Sequence, residues 1–509
     1  MKPVLRPLET RNSPRDLLFD FPRRLHAWCV WIAVKRAYAN AVSDAHSVRH
    51  LKICGTTVRV PRYICALLIA AAGAYAPAHA ADLMEIYREA LEQDTLYSAA
   101  RHAHEAAQEK LPQGRAGLLP TVTLGFVRRR QWIEVGNLSA AFPGIAGARP
   151  SDITIDNQSL TLTATQPIFR KENFAVYEQS KLQVAQADSQ FIIAAQDLIL
   201  RVAQAYFDIL LAEVNLEAAE AQLKAIREQL EQAKRNFQVG TATIVDTHEA
   251  QARYDFIHSQ EIAARNDLEI RKRALQQIIG RMPDYLRRPS SGDSADLLTL
   301  KYPTMQEWIT VAEQNNLALK VQQSVYEIAK QDVERAKAGH YPTVDLVAIY
   351  SDQKGVGGTI TGRPIDLTSK EIGVQVSFPI FQGFATQSRV REALATQERV
   401  FQDLNNTRRN NLLQVSQQYL NVTNGLAQVK ALKQALVSSQ SQVDSTRLGQ
   451  EVGVRTEVDV LNAQHMFYTA RRDLAQARYN FHMSRLRLKA EAGELDEEDL
   501  REVNKVLLR

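Results

Sequence analysis

The sequence predicts an α+β chain made of two similar strand–helix halves, and three patterns in its 509 residues support this. Short motifs recur in the same order with a nearly constant spacing. Segments of alternating apolar and polar residues predict β-strands, and sustained heptad patterns predict long coiled-coil helices. Each half is therefore expected to run helix, strand, loop, strand, long helix, tight turn and helix.

The repeat is visible in motifs from every part of the two halves. Pro167-Ile168-Phe169 recurs as Pro379-Ile380-Phe381, at an offset of 212 residues. Val239-Gly240 recurs as Val452-Gly453, at an offset of 213. The same offset relates Val245-Asp246 to Val458-Asp459 and Gly280 to Gly493. A constant order with one small insertion indicates duplication.

Composition separates the first 80 residues from the rest. Residues 1–80 carry a formal charge of +8, whereas residues 81–509 carry −3. The larger part therefore lacks the basic surface that nucleic-acid binding requires. All three cysteines, Cys29, Cys54 and Cys65, precede residue 81. This excludes a cysteine nucleophile, a Cys-ligated zinc site and a disulfide framework from residues 81–509.

A secretory signal is predicted within this leader. Arg59 and Arg62 precede the apolar run Ile64–Ala74, and Ala78-His79-Ala80 then supplies a cleavage site. The apolar run is too short to span a bilayer. We expect the mature chain to begin at Ala81. Because a signal normally starts near its own methionine, our hypothesis is that residues 1–57 reflect a misassigned gene start.

Four segments alternate apolar and polar residues with period two, which gives each strand one apolar and one polar face. They are Thr121–Phe126, Ser159–Thr165, 344–350 and Glu371–Phe378. Strands of about 10 residues cross a bilayer when tilted. From alternation alone, a half-buried sheet in water remains the simpler alternative. If the strands lie in a membrane, four strands cannot close a barrel, so the chain must form an oligomer.

Long helices follow the strands. Apolar residues from Leu198 to Phe237 alternate in steps of four and three, which is typical of a supercoiled seam. No proline interrupts Lys171–Gln238, so this helix is expected to extend about 100 Å. The second half keeps one seam position at Val415, Val422, Val429, Leu436 and Val443.

Catalytic and metal-binding patterns are not found. His248-Glu249 lacks the second histidine of a zinc-protease helix. The glycine-rich segment 355–358 joins two predicted strands, so it is interpreted as a hairpin loop. The sequence therefore predicts no enzyme, no cofactor and no metal site.

Two motifs show a resemblance to a known family. Val452–Gln464, followed by Ala475–Asn480, and the first-half partner Val239–Asp246 resemble the TolC family of outer-membrane channel-tunnel proteins. The likeness extends over residues 81–509. It implies a homotrimer in which a twelve-stranded β-barrel in the outer membrane is continued by a coiled-coil α-helical tunnel across the periplasm.

The resemblance also implies a function and partners. Members form the passive exit duct of type I secretion or multidrug efflux systems, and they dock to an inner-membrane transporter through a periplasmic adaptor. A periplasmic coiled-coil adaptor or interaction protein, with its sheet in water, is the alternative. The domain boundaries expected from the family are 1–80 for the leader, 81–281 and 305–493 for two repeats, and 282–304 and 494–509 for an equatorial belt.

The resemblance assigns the entrance of the tunnel to the helix-hairpin tips. Gly240 and Gly453 match the turns around which an adaptor would dock. Asp246, Val245 and Arg455 match positions whose polar links hold the entrance shut. A further position of this gate carries tyrosine in the family but is Gln450 here.

The family also places two aspartates, one helical turn apart, at its narrowest constriction. Asp459 matches the first, but the second is Asn462. A threefold axis would therefore gather three carboxylates where family members gather six. Focused carboxylates attract cations, so we expect cation preference that is weaker than with two acidic rings.

Overall fold

The computed structural model describes residues 51–53, 56–58, 81–135, 151–283, 286–287, 300–356 and 365–508. The chain divides into two units, Met1–His79 and Ala80–Arg509. In the first unit, β1 (Leu51–Ile53) pairs with β2 (Thr56–Val58) as an antiparallel hairpin. The predicted signal segment, and most of the loops predicted at 136–152 and 355–365, lie outside the described residues.

The second unit contains two copies of the predicted order of elements. The first copy comprises α1 (Leu83–Gln93), α2 (Thr95–Gln108), α3 (Lys110–Ala116), β3 (Thr121–Val135), β4 (Ser151–Phe169), α4 (Lys171–Gln238) and α5 (Ile244–Ile279). The second comprises α6 (Met305–Asn315), α7 (Leu317–Ala338), β5 (Thr343–Val356), β6 (Ile365–Ser377), α8 (Ala385–Glu451), α9 (Glu457–Glu491) and α10 (Glu497–Leu508).

The helix α4 begins and ends where the absence of proline predicted. Its 68 residues extend about 100 Å at 1.5 Å per residue. Seam residues such as Leu198, Val202 and Ile209 are fully buried, and the second-half seam at Val415, Val422 and Val429 is buried as well. Of the helices that the structure describes, none is both long and apolar enough to cross a bilayer.

The four strands of the second unit form one antiparallel sheet in the order β3-β4-β5-β6. All four predicted strands are confirmed, and each is longer than predicted. Alternation weakens beyond Phe126 because three consecutive arginines follow Val127, yet β3 continues to Val135. Phe378 is not part of β6, since Pro379 next to it lacks the N–H group that a ladder requires.

The sheet has two chemically different faces. We call one the apolar face; on it the register aligns Val122, Leu124, Phe126, Leu160, Leu162, Ala164, Val344, Leu346, Ala348, Tyr350, Ile372, Val374 and Val376. Most of these side chains are exposed in the single chain. The opposite, polar face carries threonines, serines, Asp345 and Gln375, together with Val347 and Ile349.

The apolar face forms a band that slopes across the strands. Phe126 and Leu160 face each other at its edge far from the helices. On β5 the last apolar residue of this face is Tyr350, which lies two residues closer to the helices. On β6 it is Ile372, a further two residues closer. Four residues along a strand cover about 13 Å, and three strand spacings cover about 14 Å. The band therefore makes an angle of roughly 40° with the hydrogen-bond direction.

Two hydrophobic cores lie midway along the helices, and the first of them combines elements of both copies. In the first, α1 and α10 pack on α4 through residues such as Ile86, Leu500 and Phe207. In the second, Trp308 of α6 is fully buried against α8 and α9. The two cores bury the short helices against the long hairpins.

Segments next to these cores are tied to the helices by polar contacts. The Tyr206 hydroxyl donates to the Arg287 carbonyl at 2.7 Å, and the Trp308 indole donates to the Tyr302 carbonyl at 3.0 Å. Glu494 accepts hydrogen bonds from the Lys301 ammonium and the Tyr302 hydroxyl, each at 2.9 Å. The chain before α6 and the chain after α9 therefore meet at one place.

Candidate functional site: the helix-hairpin tips

The first hairpin tip reverses the chain between α4 and α5. Gly240 has φ +78°, a conformation that residues with a Cβ rarely adopt. The Gly240 N–H donates to the Phe237 carbonyl at 3.0 Å, and the Thr241 N–H donates to the Asn236 carbonyl at 2.9 Å. These bonds satisfy the last carbonyls of α4 and end the helix.

The second tip, between α8 and α9, repeats this geometry. Gly453 has φ +77°, and its N–H donates to the Gln450 carbonyl at 3.0 Å. The Val454 N–H donates to the Gly449 carbonyl at 2.8 Å. A Cβ at either turn glycine would meet no atom within 4 Å. Backbone conformation, and not space, therefore requires glycine at both tips.

Apolar side chains cover both tips. Val239 and Val454 are 73% and 78% exposed, and Val452 and Val245 are also largely exposed. Exposed apolar groups that cluster in this way are typical of protein contact surfaces. The tips therefore have the character of a docking surface.

Asp246 and Asp459 each close a capping box at the start of a helix. The Thr243 N–H donates to the Asp246 carboxylate at 2.8 Å, and the Asp246 N–H donates to the Thr243 hydroxyl at 3.3 Å. Thr456 and Asp459 make the same reciprocal bonds, at 3.0 and 3.3 Å. The sequence signal, threonine three residues before aspartate, was available but was not used in the sequence analysis.

These bonds change the acidity of both carboxyl groups. Hydrogen bonds from the Thr243 backbone and then from its hydroxyl lower the pKa of Asp246. The same bonds from Thr456 lower the pKa of Asp459, and the nearby Arg455 cation lowers it further. Both aspartates are therefore negatively charged throughout the neutral range.

The structure places the predicted gate residues close to the tips but does not join them within one chain. Among the residues that the structure describes, Asp246 and Arg455 form no ion pair inside the single chain. Val245 is exposed, and Gln450 is half-buried with its carbonyl bonded to the turn. The predicted Asp246–Arg455 link is therefore not present within the single chain.

Asp459 and Asn462 lie one turn apart near the start of α9. A spacing of three residues puts both on one helix face. Asp459 is half-buried and Asn462 is exposed. Within one chain, α9 therefore presents one carboxylate and one amide on this face.

Gly449 is a tip residue that the sequence analysis did not identify. A Cβ built on it would lie 2.8 Å from Cγ of Arg455, so the arginine side chain crosses the surface that this glycine leaves open. The equivalent residues in the first tip, at the 213-residue offset, are Asn236 and Ala242. The second tip thus combines a small residue with a long basic one, whereas the first tip has neither the glycine nor the arginine.

Within the described part of the chain, no group of three or more histidine, cysteine or acidic side chains could hold a metal ion. The acidic residues Asp246 and Asp459 at the tips instead cap the starts of α5 and α9.

Comparison with known proteins gives consistent matches. A sequence profile of the family described as outer membrane efflux protein matches residues 86–281 and 308–494. The alkaline protease secretion protein AprF of Pseudomonas aeruginosa is 31% identical over 423 residues, which cover 83% of this chain and 86% of the relative. The outer membrane protein TolC of Escherichia coli is 31% identical over 438 residues, covering 84% and 85%.

Solved structures share the fold. The CmeC outer membrane channel of Campylobacter jejuni superposes with a TM-score of 0.69 at 15% identity, covering 84% of this chain and 89% of that chain. The outer membrane protein VceC of Vibrio cholerae gives 0.63 at 20% identity, covering 81% and 96%.

Proposed function

This chain belongs to the outer membrane efflux protein family, and on that premise we propose that its hairpin tips form a gated, cation-preferring entrance to an export duct. The duct itself is a passive channel-tunnel of the outer membrane, which works with a periplasmic adaptor and an inner-membrane transporter. The alternative, a periplasmic coiled-coil adaptor, is not supported.

The assembly explains the open edges of the sheet. In one chain the outer edges of β3 and β6 have no partner strand. Three chains of four strands form the twelve-stranded barrel of the fold, and each β6 then meets the β3 of the next chain. The apolar band slopes by roughly 40°, which agrees with the 35–45° tilt of strands in outer-membrane barrels. The apolar face therefore faces lipid.

The gate is proposed to lie between neighbouring chains. Within its own chain Arg455 lies near Asp459 but forms no ion pair with Asp246 among the described residues, and Asp246 stays ionised in its capping box. An Arg455–Asp246 pair across each chain boundary would hold the tips together. One exposed pair contributes only about 0–1 kcal/mol, but the threefold axis repeats it.

The constriction is proposed to be a ring of Asp459 side chains. The capping box keeps each carboxylate charged and fixes its position at the helix start. Asn462, one turn further along α9, adds polar groups without charge. A single ring of charge favours cations less than two rings would.

The exposed valines of the tips are the proposed contact surface for the adaptor, with Gly240 and Gly453 shaping each turn. The equatorial belt is proposed to comprise residues 282–304 and 494–509. Its support is the junction at which Lys301 and Tyr302 bind Glu494.

The family is one of transport proteins, and we further propose that this chain has no enzymatic activity of its own. We also propose a secreted protein as cargo. Two relatives are named as secretion proteins for proteases, AprF and PrtF of Dickeya chrysanthemi. Deleting the gene should remove specific proteins from the culture medium. Unchanged secretion with increased drug sensitivity would instead favour small-molecule efflux.

The observation that carries the gated entrance is the pair of matching tips, each with a charged aspartate at its helix start. The test is single-channel recording of the purified chain in a planar bilayer. We expect small, long-lived, cation-preferring steps that multivalent cations block. Folded protein that inserts but conducts anions equally well would contradict the proposal.

A further inference from the structure

Basic side chains border the apolar face at the end far from the helices. On β3, Arg128 follows Phe126 on this face, because residues two apart in a strand point the same way. On β6, Lys370 follows Ile372 in the same manner. Since the helices extend into the periplasm, this end of the barrel lies in the outer leaflet.

Neither Arg128 nor Lys370 forms an ion pair among the described residues, although the charge of Arg128 acts on the Asp156 carboxylate across the sheet. The Asp156 carboxylate binds the Arg130 guanidinium in a bidentate pair, at 2.8 and 2.5 Å. Asp352 accepts a bond from the Thr368 hydroxyl at 3.3 Å and lies 4.0 Å from the Lys354 ammonium. The nearby carboxylates are therefore engaged by other groups.

Barrel closure brings these two cations together. Phe126 and Ile372 are the last apolar residues of the sloping band on the two edge strands, so they lie at the same height in the membrane. Arg128 and Lys370 are each one step further out, again at equal height. Because β6 of one chain meets β3 of the next, Lys370 faces Arg128 of the neighbouring chain, with Cβ atoms roughly 5–8 Å apart.

Like charges in neighbouring strands repel each other unless an anion lies between them. At this height the available anions are the headgroups of outer-leaflet lipids. Trp132, exposed on the same side further along β3, is typical of a membrane–water interface. A phosphate group suits this place because arginine binds two of its oxygens at once and lysine adds a second charge.

We propose that each of the three subunit seams binds a phosphate of an outer-leaflet glycolipid between Arg128 of one chain and Lys370 of the next. The bound lipid neutralises the two cations and links neighbouring chains at the edges of their sheets. This site depends on the barrel but not on the proposed gate.

The test is native mass spectrometry of the purified trimer titrated with bisphosphorylated lipid A. We expect up to three bound lipids per trimer, and at least about tenfold weaker binding after combined Arg128→Gln and Lys370→Gln substitution. Arg129→Gln is the matched control, because Arg129 is the next residue on β3 but lies on the polar face. Arg128→Lys should keep most of the binding, since it keeps the charge.

Other outcomes would overturn the proposal. If the double variant binds lipid A as tightly as the unsubstituted protein, the proposed site is wrong. If Arg129→Gln weakens binding as much as the double variant does, only the total charge of the protein matters. Displacement of the lipid by millimolar inorganic phosphate would indicate a free-anion site. If the unsubstituted protein has the mass of a monomer, there is no subunit seam and the proposal fails. A channel without the proposed gate would leave this proposal intact.

Discussion

The two helix hairpins have nearly identical backbones but different surroundings. Their turn glycines have φ +78° and +77°, and the glycines that end the two returning helices, Gly280 and Gly493, have φ +76° and +73°. Around them the side chains differ: Arg455 and Gly449 occupy the second tip where Ala242 and Asn236 occupy the first. The local sequence of each repeat thus produces the same turn, whereas the side chains exposed around that turn have diverged.

The largest expected difference lies at the helix ends near the two cores. A Cβ at Gly493 would overlap the Asn315 carbonyl, whereas a Cβ at Gly280 meets only Gln93 at 3.6 Å or more. We expect Gly493→Ala to destabilise the protein by about 3 kcal/mol and Gly280→Ala by about 1 kcal/mol. Urea unfolding of both variants measures this. Equal midpoints would show that φ alone matters at both positions.

The second difference concerns charge at the constriction. Asp459→Asn should remove most of the cation preference, because Asp459 supplies the carboxylates of the proposed constriction. Asn462→Asp should increase the preference by adding a second ring. Reversal potentials in a salt gradient measure both, with Asp246→Asn as the matched capping-box variant. If Asp459→Asn leaves selectivity untouched, the ring assignment is wrong.

Third, only the second tip carries the arginine. Arg455→Ala should raise single-channel conductance by weakening the link to Asp246 of the neighbouring chain. Arg447→Ala removes another exposed positive charge, from α8, and should leave conductance unchanged. An effect of the same size in both variants would indicate a general electrostatic cause and would count against the link.

A smaller effect is expected at Gly449. Its substitution by alanine forces the Arg455 side chain to move, so conductance should rise less than in Arg455→Ala. In the first tip, Asn236→Ala should leave conductance unchanged, since Ala242 has no long side chain to displace. A normal conductance in Gly449→Ala would mean that the arginine reaches its partner by another path.

The smallest effect is expected from a change in pH, and both tips should respond to it in the same way. Hydrogen bonds lower the pKa of both aspartates below 3.8 in the folded state, so capping stabilises the protein fully above that pH. The stabilisation is lost as pH falls through the lowered pKa. Cation preference should therefore persist as pH falls to 3.8 and decline only as pH falls further, through the lowered pKa. Loss of selectivity near pH 5 would contradict this.

Several elements could be predicted from sequence because their signals are local and long. The helix Lys171–Gln238 lies at the predicted bounds, since absence of proline and a heptad pattern act along the whole segment. The length of β3 was underestimated because Arg128 and Arg130 interrupt the apolar alternation while the ladder continues. The capping boxes were missed although their spacing is visible.

The sequence by itself determined the duplication, the order of strands and helices, the turn glycines and the two faces of each strand. These properties depend on period, backbone conformation and nearest neighbours along the chain. Only the tertiary structure decided that β4 pairs with β5, that Gly493 lies against Asn315, that Gly449 makes room for Arg455, and that Arg455 and Asp246 do not pair within one chain. Those facts depend on contacts between residues far apart in sequence, which periodicity does not encode.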